Sequence, residues 1–274
     1  MLSLVIALAV GIGLQLGLHH YADMGVVSSV ILGILGFLGV NALINVLLKK
    51  RLEAAFMVVQ NHIVEKQQYL TRKVNLLAGR ATPKLQAEIE AEQAQAVREA
   101  LSLLDGLKKF EKWNFMVSRQ TDTIRAQFHY QLKEYDQADK YFEHAMLFDP
   151  LVLAMKMARC YKKNEMDKVK KLFEKGARRF KDEKGVLIYA LYSWILVQQK
   201  DIDGAIQVLN QAKTRAESDV LKQNLENLRN GHANRFSNAG LNDQWYALAL
   251  ETPRMQRMRV QPGYGGPGMM GRRR

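Results

Sequence analysis

Six histidines and one cysteine are the residues of this chain best suited to hold a metal or act as a nucleophile, and their spacing supports neither role. His19, His20, His62, His129, His144 and His232 form no HExxH pair or other ligand spacing. No glycine-rich loop follows a strand to cradle a phosphate. Cys160 is the single cysteine, which excludes an internal disulfide and a cysteine-only zinc site. Paired with His129 or His144 it could in principle attack an electrophile, but its place between Ala158 and Tyr161 reads as a small buried core thiol. The residues therefore call for no cofactor and no metal, and the chain reads as a non-enzyme.

The other chemistry on offer is cationic. The formal charge of the 274-residue chain is +13, which draws it to anionic surfaces: phospholipid, nucleic acid or acidic protein segments. The excess sits in two places. Residues 153–185 hold twelve basic and five acidic side chains, and the last 21 residues hold six arginines and no acid. That tail, with Arg254, Arg257, Arg259, Arg272, Arg273 and Arg274 around a Pro/Gly-rich stretch, has the composition of a disordered segment. Beside an anionic leaflet each such arginine gains roughly 1 kcal/mol. Nucleic acid is the weaker partner, because the tail offers one stacking ring, Tyr264, and no folded RNA module.

The elements that must position these groups are helical. Strand-like alternation is scarce and all five prolines fall at segment ends, so the expected fold is all-α. Apolar runs over residues 2–18 and 25–48 each reach or approach the roughly 20 residues that cross a bilayer. The six-residue connection between them makes the two helices an antiparallel hairpin over residues 1–51. Glycines on both runs permit close approach, and Gly33, Gly36 and Gly39 are the candidates for membrane helix packing, within the hairpin or with another membrane protein. Lys49-Lys50-Arg51 directly after the second run orients both termini to the cytoplasm. The expected location is a membrane, most simply a bacterial inner membrane. Neither run contains Asp, Glu, Lys or Arg, so a proton relay has little support.

Residues 52–118 read as a helical stalk. Phe56, Val59, Ile63, Leu70, Val74 and Leu77 fall on three-and-four spacing, with Lys66 interrupting the stripe. A second helix follows the break at Gly79–Pro83, with Val97, Leu101, Leu104 and Leu107 on its buried side.

From residue 119 the sequence resembles the tetratricopeptide repeat family, whose unit is a 34-residue helix-turn-helix. In residues 119–152, Ala126 takes the small position of the first helix, and Tyr130, Tyr135 and Asp136 lead into the turn. Ala138, Phe142 and Ala145 mark the second helix, which Asp149-Pro150 closes; His129 stands where the family favours an aromatic. Residues 151–185 carry a weaker copy (Ala158, Tyr161, Val169, Phe173, Gly176), and residues 186–219 a clearer one (Ser193, Ala205, Leu209, Ala212). Residues 220–230 then serve as a capping helix. Residues 236–250, with Trp245-Tyr246-Ala247-Leu248, are too apolar for water and should dock on the repeats or on a partner.

The resemblance implies a protein-binding groove lined by the first helix of each repeat. Carried over by position, its residues are Gln127, Tyr130 and Gln131, then Met155, Arg159, Lys162 and Lys163, then Trp194, Val197 and Gln198. Cations beside two aromatic rings would suit an acidic or carboxylate-ended peptide. The expected function is thus a membrane-anchored scaffold or adaptor that holds a protein segment, in the assembly or regulation of a membrane complex. The alternative is a structural subunit of a transporter or channel complex that acts through its hairpin.

Overall fold

The structure is a computed structural model, and it describes residues 2–21, 25–76 and 83–252. Among the described residues every regular element is a helix. Helix α1 (Leu2–Tyr21) and helix α2 (Val26–Leu76) lie side by side and antiparallel. Small residues set their approach: Ser3, Ala7 and Gly11 are buried on α1, and Ser29 and Gly33 on α2. A Cβ on Gly11 would stand 2.9 Å from the carbonyl oxygen of Gly33, and one on Gly33 the same distance from that of Gly11. Gly36 faces Leu14 at 3.0 Å, whereas Gly39 meets nothing within 4 Å. The three glycines expected to share a packing role therefore divide: Gly33 and Gly36 are used inside the hairpin, and Gly39 turns away from it.

Helix α2 runs unbroken through 51 residues, roughly 76 Å at about 1.5 Å per residue. Its second half is amphipathic and packs on helix α3 (Pro83–Asp105) and helix α5 (Phe115–Gln131). There Val59 joins Val97, Ala100, Leu104, Leu107 and Phe128 in a small apolar core. Lys66, which interrupts the apolar stripe, reaches Glu99 of α3 at 3.3 Å, and Lys73 bonds Glu88 and Glu92 at 2.7 Å each. Apolar packing gives way to ion pairs towards the far end of the stalk. Leu77 and the Gly79–Ala81 break lie outside the described residues.

The near end of the stalk is fastened differently. The first amides of α1 have no acceptor in their own helix. Leu2 donates instead to the Lys112 carbonyl at 3.0 Å, and the Ser3 hydroxyl to that of Trp113 at 2.7 Å. Asn114 donates to Asn45 of α2 at 3.2 Å and caps α5 by accepting from the Met116 amide. That cap starts α5 at Phe115, four residues ahead of the repeat boundary expected at residue 119. The short helix α4 (Lys108–Glu111) is tied to α5 by Glu111, which accepts from Thr121 and from the buried Arg125 at 2.8 Å each.

Three helix pairs follow: α5 with α6 (Tyr135–His144), α7 (Pro150–Lys162) with α8 (Met166–Arg179), and α9 (Glu183–Gln198) with α10 (Ile202–Arg215). Their inner turns share one geometry. Lys133, Asn164 and Lys200 take φ of 60°, 60° and 64°, and in each turn two amides return to the carbonyls of the preceding helix. This is the left-handed C-terminal cap that ends a helix sharply. The expected small positions Ala126, Ala138, Ala158, Ser193 and Ala205 are fully buried where paired helices cross. A Cβ on Gly176 would lie 2.7 Å from a Leu153 methyl and 3.0 Å from Ile188, so a larger residue there would require these side chains to shift. His129 substitutes for an aromatic by stacking on Tyr141, ring centroids 5.4 Å apart. Helix α9 begins at Glu183 rather than at residue 186, because Asp182 turns the chain at φ 53° and its amide binds the Arg215 carbonyl at 2.7 Å. Helix α11 (Asp219–Arg229) covers the last pair.

The two hairpin glycines of α2 differ in a measurable way. Gly33→Leu should lower the thermal midpoint of the full chain in mild detergent by several degrees, because its side chain meets backbone of α1. Gly39→Leu should leave the midpoint within a degree or so of the native one. Equal shifts for both would show that the seam does not carry the packing.

Candidate protein-binding site

The side of α5 and α9 on which a groove is expected is covered by the chain itself. After α11 two single 3-10 turns lead to the short helix α12 (Asp243–Tyr246). Residues 236–251 cross α9 and reach α5. Trp245 and Leu248 are completely buried in the repeat core. The Tyr130 hydroxyl donates to the Leu248 carbonyl. One carboxylate closes the arrangement: Glu251 accepts from the indole of Trp194 through one oxygen and from that of Trp245 through the other, both at 2.8 Å. The two indoles meet edge to face at 5.7 Å, and Tyr161 meets Trp194 in the same manner at 5.6 Å.

The start of this strap is pinned by amides. Asn238 is fully buried and donates to the Ala190 carbonyl of α9 at 3.0 Å, while Asn224 of α11 donates to Asn238 at 2.9 Å. The Asn224 carbonyl oxygen accepts from the Ser237 amide at 3.0 Å. Each buried polar group of the segment has a specific partner, as burial requires.

The ten residues expected to line the groove separate into three sets. Tyr130 and Trp194 lie beneath the strap, at 3% and 7% exposure. Met155 is corrected: it is fully buried in the core between helices and offers no surface. Val197, Gln127 and Arg159 are half-buried, while Gln131, Lys162, Lys163 and Gln198 are exposed near the turn ends of their helices.

The expected cation cluster is corrected as well. Arg159 forms a two-pronged bond to Asp139 of α6, at 3.0 and 2.8 Å, and lies 4.5 Å over the Tyr135 ring. Lys163 reaches the same carboxylate at 2.9 Å. Burial pushes the Asp139 carboxyl up, but the bonds from Arg159 and Lys163 outweigh it and hold the group below the ordinary carboxylate range. Two of the three cations are therefore neutralised within the repeat.

Burial also pushes the Tyr130 phenol up, so it stays a neutral donor, and pushes the Cys160 thiol up, which suits a core residue. Among the described residues no group of three His, Cys, Asp or Glu side chains is placed to hold a metal ion. The six tail arginines lie outside the described residues. Sequence reasoning missed Asp139, Asn238 and Glu251. The spacing Trp245, Leu248, Glu251 is the available signal, three residues apart each time.

Residues 123–150 match the tetratricopeptide repeat family, a span that takes in the end of α5, the whole of α6 and the first residue of α7. The chain thus contains a tetratricopeptide repeat, a unit of protein–protein interaction, within an all-helical architecture. No curated protein and no solved structure gives a significant match.

Two outcomes follow. Trp245→Ala should destabilise the repeats by about 3–5 kcal/mol and raise amide exchange in residues 236–251 more than in α7. Uniform exchange would mean that the strap is not separately held. Asp139→Asn should cost about 1.5–3 kcal/mol near neutral pH. Because the folded carboxyl is depressed, that stability is present above the unfolded pKa of about 3.9 and is lost as pH falls through the lower folded value. Acid titration of unfolding should therefore be shallower for the variant below about pH 4.

Proposed function

We propose that this chain is a membrane-anchored helical-repeat adaptor that holds a protein segment on its concave face, with its own residues 243–251 as the occupant a partner must displace. The observation that carries this reading is the clasp of Trp194, Trp245 and Glu251 with Leu248 beneath it. The strap's Trp245 and Leu248 go inside, and its Glu251 carboxylate accepts from the Trp194 indole of α9 as well as from the strap's own Trp245. The favoured partner accordingly carries an aromatic, an aliphatic and an acidic residue at similar spacing, rather than a run of acids. Lys162, Gln131 and Gln198 remain at the rim. The role is one of binding, and no step in it requires catalysis.

The anchor is supported by length, composition and exposure. Helices α1 and α2 are long and apolar enough to cross a membrane, and only 17% and 6% of their most apolar windows are buried, which does not suit core helices of a water-soluble domain. Val5, Leu16, Leu35 and Leu47 are among the large side chains left open. Lys49-Lys50-Arg51 then orients the repeats to the cytoplasmic side, most simply of a bacterial inner membrane.

A labelled peptide of residues 240–252, titrated into the detergent-solubilised full chain, tests the groove. The native chain should bind it weakly, since its own strap competes. A Trp245→Ala/Leu248→Ala chain should bind at least about tenfold more tightly. If the loosened chain binds no better, the displaceable groove is wrong.

A second reading has one observation in its favour. Gly13 and Gly17 of α1 and Gly39 of α2 meet nothing within 4 Å, which leaves room for another membrane helix, as a subunit of a transporter or channel complex would need. On that reading Gly13→Leu/Gly17→Leu should dissolve the complex while the strap variant leaves it intact.

A further inference from the structure

Where the hairpin meets the repeats, the structure builds a corner with the properties of a lipid-binding surface. Helix α1 has 20 residues and spans roughly 30 Å, the thickness of the hydrocarbon layer. Its first residues therefore mark one edge of that layer. Those residues are bonded to Lys112 and Trp113, so the α4–α5 corner is held just outside the hydrocarbon, at headgroup depth. At this corner Phe115 and Met116 are 42% and 53% exposed. Apolar side chains left open beside a membrane edge suit the interface better than water.

The charges at the corner are mostly of one sign. Lys49, Lys50 and Arg51 follow the apolar part of α2, Lys108 and Lys109 lie on α4, and Arg119 lies 4.4 Å over the Phe115 ring. The acids nearby are largely engaged: Glu111 is bonded to Arg125 at 2.8 Å and Asp105 to Lys108 at 2.9 Å, while Glu53 makes only a 3.7 Å contact with the exposed Lys49.

Between α2 and the corner lies a cavity of about 300 Å³. Lys49, Asn45 and Asn114 supply its polar wall, and Leu48, Leu52, Phe110 and Val117 its apolar one. Asn114 gives one amide hydrogen to Asn45 and has a second to offer. A cation and an amide donor beside an apolar wall match a phosphate ester joined to the head of an acyl chain.

We infer that this cavity is a binding site for one anionic phospholipid: Lys49 and the Asn114 amide take its phosphate, Leu48 and Phe110 flank the glycerol end of its acyl chain, and Phe115 and Met116 insert beside it. The site rests on the membrane reading above and is separate from the groove. Bound lipid would fasten the repeats to the bilayer at a fixed tilt, because the cavity wall is shared by α2, α4 and α5.

The full chain is assembled into nanodiscs of equal phosphatidylglycerol and phosphatidylcholine, released, and weighed with its retained lipid by native mass spectrometry. The native chain should retain phosphatidylglycerol selectively. Lys49→Gln should lower that retention about fivefold, and Phe115→Ser/Met116→Ser should lower it too, whereas Lys171→Gln on α8 should not. Insertion without selectivity, or equal losses for Lys49→Gln and Lys171→Gln, overturns the lipid site and leaves the anchor standing. A chain that stays outside the nanodiscs overturns the anchor and the site together.

Discussion

Helix α2 carries two surfaces that call for different surroundings, and the rest of the structure follows from satisfying both along one rigid rod. Its first half is apolar around its circumference and is covered on one side only, by α1 through the Gly11–Gly33 contact. Its second half is amphipathic and needs an apolar partner on one face, which α3 and α5 supply around Val59, Leu104 and Phe128. Nothing breaks the helix between the halves, so the position of the repeats is inherited from the hairpin rather than left to a flexible linker. The hydrogen bonds from Leu2, Ser3 and Asn114 act at the point where the two surfaces change over.

The same requirement, a face that cannot be left open, explains the filled groove. In α9 the run from Gly185 to Leu191 and again from Ser193 to Leu196 is buried without interruption. A helix that is apolar all round needs cover all round. Helices α7, α8 and α10 cover much of it, and α11 a little more. The strap covers the rest, with Trp245 and Leu248. Burying aromatic rings with polar ends then creates a second demand, because indole N–H and phenol O–H groups need acceptors. Glu251 and the Leu248 carbonyl meet it.

Much of the fold is legible in the sequence because it depends on local pattern. Apolar spacing marks the helices, small residues such as Ala126 and Ala205 mark the crossings, and Asp149-Pro150 marks a helix start, where Asp149 accepts from the Leu151 amide at 2.7 Å. The candidate site was less legible because it depends on pairings at long range. Asp139 precedes Arg159 by 20 residues and reads in isolation as a solvated acid on a second helix; only the stacking of α6 on α7 turns it towards the cation. Position within the repeat places Met155 on the groove, but the inner helix of the middle repeat is packed from both sides and its Met155 is core. The strap shows the same limit. Its apolar character is plain in the sequence, while its target depends on Asn238 reaching a carbonyl 48 residues earlier in the chain.

These pairings also change the meaning of the basic composition. Twelve cations in residues 153–185 suggest a groove that attracts acids, yet Arg159 and Lys163 are held by Asp139, and Arg179 of α8 donates to the Leu147 carbonyl at 2.8 Å while lying 4.7 Å over Phe148. Much of the remaining charge in this stretch, on Lys170, Lys171, Lys175 and Arg178, lies on the exposed side of α8. Long-range attraction to an anionic surface survives such an arrangement, since it depends on summed charge. Selective recognition of an acidic peptide does not, since it needs unpaired donors at fixed positions. Charge in this molecule is therefore suited to bringing the repeats towards a surface. Under the proposed displacement, discrimination between partners would fall to the aromatic face beneath the strap, where the Trp194 indole donates to Glu251.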